Sequence, residues 1–132
     1  MEWVLTTRLK ELLEREPHDL LAAYLYGSRA RGEGHPDSDV DIGLLYRNRP
    51  PRTLDSTPRR LEDALERELG QVVEVVVLND APPDLVHRVV RDGVLLLDRD
   101  RSRRLAFEVH SLNQFFDMQP IWDLYRRKGA TG

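Results

Sequence analysis

Residues 72 to 78 read Val-Val-Glu-Val-Val-Val-Leu, the strongest strand signal in the chain. β-Branched side chains are stiff at χ1 and suit a pleated surface better than a helix. A run this apolar needs partner strands beside it and a covering layer above it. Two further runs are short, apolar and bounded by turn formers: Leu20 to Tyr26, which ends at Gly27, and Val40 to Tyr46. Both read as strands. A shorter one spans Val94 to Leu97.

Helical spacing fills the intervals. Val4, Leu5, Leu9, Leu12 and Leu13 predict an amphipathic helix stopped by Pro17. Thr57 is the expected N-cap of a second helix, with Pro58 at its first position, Leu61, Leu65 and Leu69 on its apolar face, and Gly70 at its end. Leu85, Val86, Val89 and Val90 predict a short helix closed by Gly93. Leu105, Val109, Leu112 and Phe116 predict another from Arg101 onward. Pro120 is expected to break it before IWDLYRRK, and the tail from Gly129 is expected to fray. The order is helix, strand, strand, helix, strand, helix, short strand, helix. This is an α/β (α+β) pattern, a small mixed sheet flanked by helices. A single domain over residues 1–132 is expected, with C-terminal helices at about 101–128.

Composition narrows the function. Charged residues make up 33 % of the 132, yet the formal net charge is −3. That argues against a general nucleic-acid binder, and no stable direct binding of nucleic acid is expected. The absence of cysteine excludes a disulfide scaffold, thiolate metal sites and cysteine nucleophiles. No stretch approaches the roughly 18 apolar residues of a membrane span. The first residues carry acids throughout and lack the continuous apolar run of a signal peptide. A cytoplasmic protein is expected. The four histidines, His18, His35, His87 and His110, have no metal-ligand spacing and read as surface or structural residues, His35 being the exception to watch because it lies in the loop between Gly27-Ser28 and Asp39.

The chemistry concentrates in YLYGSRARGEGHPDSDVDIGLL, residues 24–45. Residues i and i+2 of a strand share a face, so Asp39 and Asp41 present two carboxylates side by side while Val40 and Ile42 point into apolar packing. Like charges this close repel, and a divalent cation removes the conflict. Hard oxygen ligands suit Mg²⁺ or Mn²⁺. Gly27 lets the backbone turn sharply. Ser28 can cap the turn that follows, and Ala30 and Arg31 are good helix formers, so a helix N-terminus that binds anions is expected there. Arg29 and Arg31 add charge that can meet phosphate. A phosphate cradle and a carboxylate pair joined by one loop suggest a metal-bound nucleoside triphosphate. Glu74 is the single charge in its apolar strand. In the right register it faces the same site, binding a second metal or accepting a proton from an attacking hydroxyl. Each signal alone is bland, because most GS pairs are turns and most DxD pairs are solvated. Gly32-Glu33-Gly34 lacks the third glycine of a dinucleotide fingerprint, and no Walker A lysine motif is present.

Gly27-Ser28, ten residues, then Asp39-Val40-Asp41 resembles the signature of the minimal nucleotidyltransferase (MNT) family within the polymerase-β-like superfamily. The likeness includes Ala30-Arg31-Gly32 and Ser38, as in GSxARG followed by SDxD. VVEVVVLNDAPPDL resembles the family's third-carboxylate strand and turn, and FEVHSLNQFFDMQPIWDLYRRK the C-terminal helix of its antitoxin branch. The resemblance implies a polymerase-β palm-like fold and a protein encoded beside a HEPN-domain partner, often an RNase toxin. It implies transfer of AMP from ATP, with Mg²⁺, onto a tyrosine of that partner, which is thereby neutralised. Asp39, Asp41 and Glu74 would be the catalytic, metal-binding carboxylates. Gly27, Ser28, Arg29, Arg31 and Ser38 would bind the nucleotide. The family's third position is more often aspartate, and Glu74 sets that carboxylate outward by about one C–C bond. Two alternatives stay open: a catalytically weak or inactive antitoxin that acts by binding alone, and a small-molecule nucleotidyltransferase. The aromatic C-terminus (Phe107, Phe115, Phe116, Trp122, Tyr125) either packs on the domain's own core or docks on a partner.

Overall fold

The computed structural model describes residues 2–32, 38–51, 53 and 56–131. Four strands form one open mixed sheet: β1 (Leu20–Tyr26), β2 (Val40–Tyr46), β3 (Val73–Val77) and β4 (Val94–Asp98). Their order across the sheet is β3-β2-β1-β4. β1 pairs antiparallel with β2 and β4, and β2 pairs parallel with β3. The helices are α1 (Glu2–Glu14), α2 (Thr57–Leu69), α3 (Pro83–Asp92) and α4 (Arg101–Thr131). The parallel pair needs a crossover, which α2 supplies. Element order follows the sequence reading throughout.

The two faces of the sheet bury different helices. Val40, Ile42 and Leu44 of β2 pack with Leu9 and Leu13 of α1 and Leu61 and Leu65 of α2. On the other face Tyr24 and Leu45 pack with Val86 and Val89 of α3, and Phe107 of α4 lies against them. Strand alternation therefore assigns Asp41 and Glu74 to the α3–α4 face. The edge strand β3 is guarded by α2. Glu66 and Glu62 accept hydrogen bonds from the backbone N–H groups of Val73 (3.1 Å) and Val75 (2.9 Å).

α4 is fixed by a polar cluster. Tyr24 donates its hydroxyl hydrogen to Glu108 at 2.7 Å. Arg104 donates to the same Glu108 oxygen at 2.9 Å and pairs with Asp98 at 2.9 Å. His87 of α3 stacks on Phe115 at a centroid distance of 3.9 Å. The aromatic C-terminus is thus divided. Phe107 packs inward and Phe115 is stacked, while Phe116 and Tyr125 are exposed. No helix of the described residues is long and apolar enough to cross a membrane.

Three boundaries differ from expectation. Ser56, not Thr57, occupies the N-cap position of α2, and its side chain makes no capping bond. β3 is two residues shorter than the apolar run: Val72 lies before it, and Leu78 begins a 3-10 turn over Leu78–Asp80. Pro120 does not break the last helix, which is one continuous α4 to Thr131 rather than two helices with a frayed tail. Proline removes one N–H, whose partner would be the Phe116 carbonyl. Phe116 and Pro120 are exposed, so water can take that carbonyl's bond.

Candidate active site

β1 ends at Tyr26, and Gly27 turns the chain at φ +76°, in the left-handed region that glycine tolerates. The turn is also close to a neighbouring side chain. A Cβ on Gly27 would collide with Oδ2 of Asp41. The turn therefore lies directly against the carboxylate. Ser28 to Gly32 make a single turn closed by the Arg31 N–H donating to the Gly27 carbonyl at 3.3 Å. The expected helix N-terminus does not form. Gly32, at φ +72°, ends the turn, and one hydrogen bond does not repay the fixing of a helical nucleus.

Asp41 has two register partners, Tyr26 across the antiparallel pair and Glu74 across the parallel one. The condition placed on Glu74, the right register, is met. Burial raises the Asp41 pKa above its ordinary value, and the charges of Glu74 and Asp39 and a hydrogen bond with Glu74 raise it further. Asp39 lies one residue before β2 and is exposed, as is Glu74. Val40 and Ile42 are fully buried on the opposite face. Burial, with the charges of Asp41 and Glu74, pushes the Tyr26 phenol up to about 12, while Arg88 opposes the shift.

The two other expected loop residues do different work. Arg29 is buried, and its guanidinium donates to the Ser38 carbonyl (3.0 Å) and to Oε1 of Gln71 (2.9 Å). It ties the glycine turn to the entrances of β2 and β3. Neither Arg29 nor Ser38 lines the cleft beside Asp41. His35 and Gly34 lie outside the described residues.

That cleft has a volume of about 320 Å³. Its sheet side is Tyr26, Gly27, Ser28 and Asp41, and Arg31 stands at its edge. Its other wall is Leu85, Arg88 and Asp92 of α3. Among the described residues no group of three His, Cys, Asp or Glu side chains closes into a cation cage. The open carboxylate set fits a hard cation that completes its shell with water and substrate phosphate. A hollow of similar volume between α3 and α4 is lined mainly by Val86, Val90, Val109 and Leu112, and its carboxylate, Glu108, is already bonded to Tyr24 and Arg104. Sequence reasoning missed Tyr26, Leu85, Arg88 and Asp92. Tyr26 was accessible from strand parity beside Asp41. Nothing local distinguishes Arg88 from the chain's other arginines.

Residues 7–102 match the family described as polymerase beta, nucleotidyltransferase. The chain is 29 % identical over 120 residues to the protein adenylyltransferase MntA of Shewanella oneidensis, covering 90 % of this chain and 83 % of that protein. It is 35 % identical over 94 residues to the protein adenylyltransferase MntA of Thermococcus cleftensis, covering 71 % and 90 %. Its fold is similar to that in a crystal structure of a toxin–antitoxin with AMP-PNP, with a TM-score of 0.80, 24 % identity, and coverage of 95 % and 98 %. It is also similar to that in a structure of tri-AMPylated Shewanella oneidensis HEPN toxin in complex with MNT antitoxin, with a TM-score of 0.77, 21 % identity, and coverage of 98 % and 99 %. A glycine turn pressed on a strand carboxylate, itself paired with a second carboxylate, thus sits in a chain that belongs to the polymerase beta nucleotidyltransferase family.

Proposed function

We propose that residues 1–132 act as one nucleotidyltransferase domain, an antitoxin-type protein adenylyltransferase of the cytoplasm. It transfers AMP from ATP to a tyrosine of a HEPN RNase toxin partner and so neutralises it. The observation that carries this reading is the Asp41–Glu74 register pair, with Asp39 beside it and the Gly27 turn against it. The names of the relatives support protein as the acceptor, and the AMPylated HEPN toxin in one similar structure supports the partner. α4 exposes Val109, Phe116 and Tyr125, apolar surface suited to a protein partner.

Asp39, Asp41 and Glu74 would hold Mg²⁺ or Mn²⁺, which when bound supplies positive charge against the triphosphate. Gly27 and Ser28 bring backbone close to the phosphates, and Arg31 meets them from the cleft edge. Arg29 and Ser38 act one step back, holding the turn to the start of β2. Glu74 takes the proton of the acceptor phenol as its oxygen bonds to the α-phosphorus. The bond between that phosphorus and the α–β bridging oxygen breaks, and pyrophosphate leaves. Asp39→Asn combined with Asp41→Asn is expected to abolish label transfer from [α-³²P]ATP to a HEPN partner in a folded protein. Retained transfer would refute the assignment.

One observation favours a second reading, an antitoxin that acts by complex formation alone. The third carboxylate is the longer Glu74, and it is exposed. In that case the double variant would still suppress toxicity in co-expressing cells.

A further inference from the structure

We propose that Arg88 is a phosphate-binding residue of the cleft, gripping the phosphate chain of a nucleoside triphosphate from the α3 side, opposite Asp41. This rests on the reading of the cleft as an ATP site. α3 buries Val86 and Val89 against the sheet, and Leu85, Arg88 and Asp92, spaced i, i+3 and i+7, form its side toward the cleft. The helix is held firmly. Its last turn is closed by the Gly93 N–H on the Val89 carbonyl at 2.8 Å, and His87 stacks on Phe115. A group carried on such an element is well placed for precise contact.

Arg88 differs from the arginines around it. Arg91 is spent on Asp92 at 2.8 Å, Arg104 on Glu108 and Asp98, and Arg29 on Ser38 and Gln71. Arg88 has no hydrogen-bond or ion-pair partner among the described residues. It lines the same cleft as Asp41, from the α3 side, and the two do not close into an ion pair. That space suits a polyanion, which a planar guanidinium would hold from the α3 side. Tyr26 lines the cleft with them.

The experiment is titration of the full chain with AMP-PNP and Mg²⁺, and separately with adenosine, followed by NMR. Arg88→Gln is expected to weaken AMP-PNP binding at least tenfold and to leave adenosine unchanged. Arg88→Lys recovers part of the loss. Arg59→Gln, which breaks an exposed pair with Glu62 on α2, matches the unmodified protein. AMP-PNP affinity unaltered by Arg88→Gln, or an equal loss for adenosine, would overturn the role of Arg88 and leave the ATP site standing. Failure of the unmodified protein to bind AMP-PNP would overturn both.

Discussion

Asp41 and Glu74 are register partners across the parallel β2–β3 pair, and burial together with the charges of Glu74 and Asp39 holds the Asp41 carboxyl above its ordinary range. The ionised form of Asp41 is therefore disfavoured until a proton or a cation joins it.

The shift has a sign. The Asp41 pKa is raised in the folded protein, so between its ordinary value of 3.8 and its folded value the native state binds more protons than the unfolded one. The contribution of this group to stability is full below the unfolded value and is lost as pH rises through the folded one. Asp41→Asn is expected to raise the melting temperature at pH 7 in EDTA. At a pH below the ordinary carboxylate range the gain should vanish. Thermal unfolding at the two pH values checks this.

Divalent cation should offset the same penalty. Saturating Mg²⁺ is expected to raise the melting temperature of the unmodified protein, since a ligand of the native state alone stabilises by mass action. Asp39→Asn with Asp41→Asn should show no such rise. Differential scanning calorimetry with and without Mg²⁺ distinguishes the cases.

A side chain at Gly27 is costly. Gly27→Ala combines a left-handed φ with a collision on Asp41, and is expected to cost about 2 kcal/mol and to suppress AMP transfer. Gly70→Ala is a control with a comparable φ of +66° and open space around it. It should cost about 1 kcal/mol and leave transfer intact. Urea unfolding and a transfer assay on both variants test the contrast.

Glu74 should matter as a base. Glu74→Gln keeps the side-chain length but removes the proton acceptor, and is expected to lower kcat by about 10² to 10⁴. Glu74→Asp keeps the acceptor and draws it back, so its loss should be smaller. Single-turnover transfer measures both.

The cluster under α4 should show strong coupling. Tyr24→Phe leaves Glu108 paired with Arg104 and should cost about 1 kcal/mol. Arg104→Ala leaves Glu108 and Asp98 without their cation and should cost about 3 kcal/mol. The double variant should cost less than the sum, because the two residues share one carboxylate. Chemical denaturation of the three variants supplies the cycle.

By itself the sequence determined the order of elements, the bounds of β1 and β2, and the facing of Asp41, because these follow from local periodicity and turn chemistry. It also singled out Glu74, the one charge in an apolar strand, though not whether it would meet Asp41. Register between strands far apart in the chain is set by packing and hydrogen bonding across the sheet, and only the tertiary structure decided it. The same holds for Arg29, which reads as a phosphate ligand by its place in the loop yet is buried on Ser38 and Gln71. Arg88 is the converse case. Its neighbours in sequence describe an ordinary amphipathic helix, and its position opposite Asp41 exists only because α3 packs on the face of the sheet that carries the carboxylates.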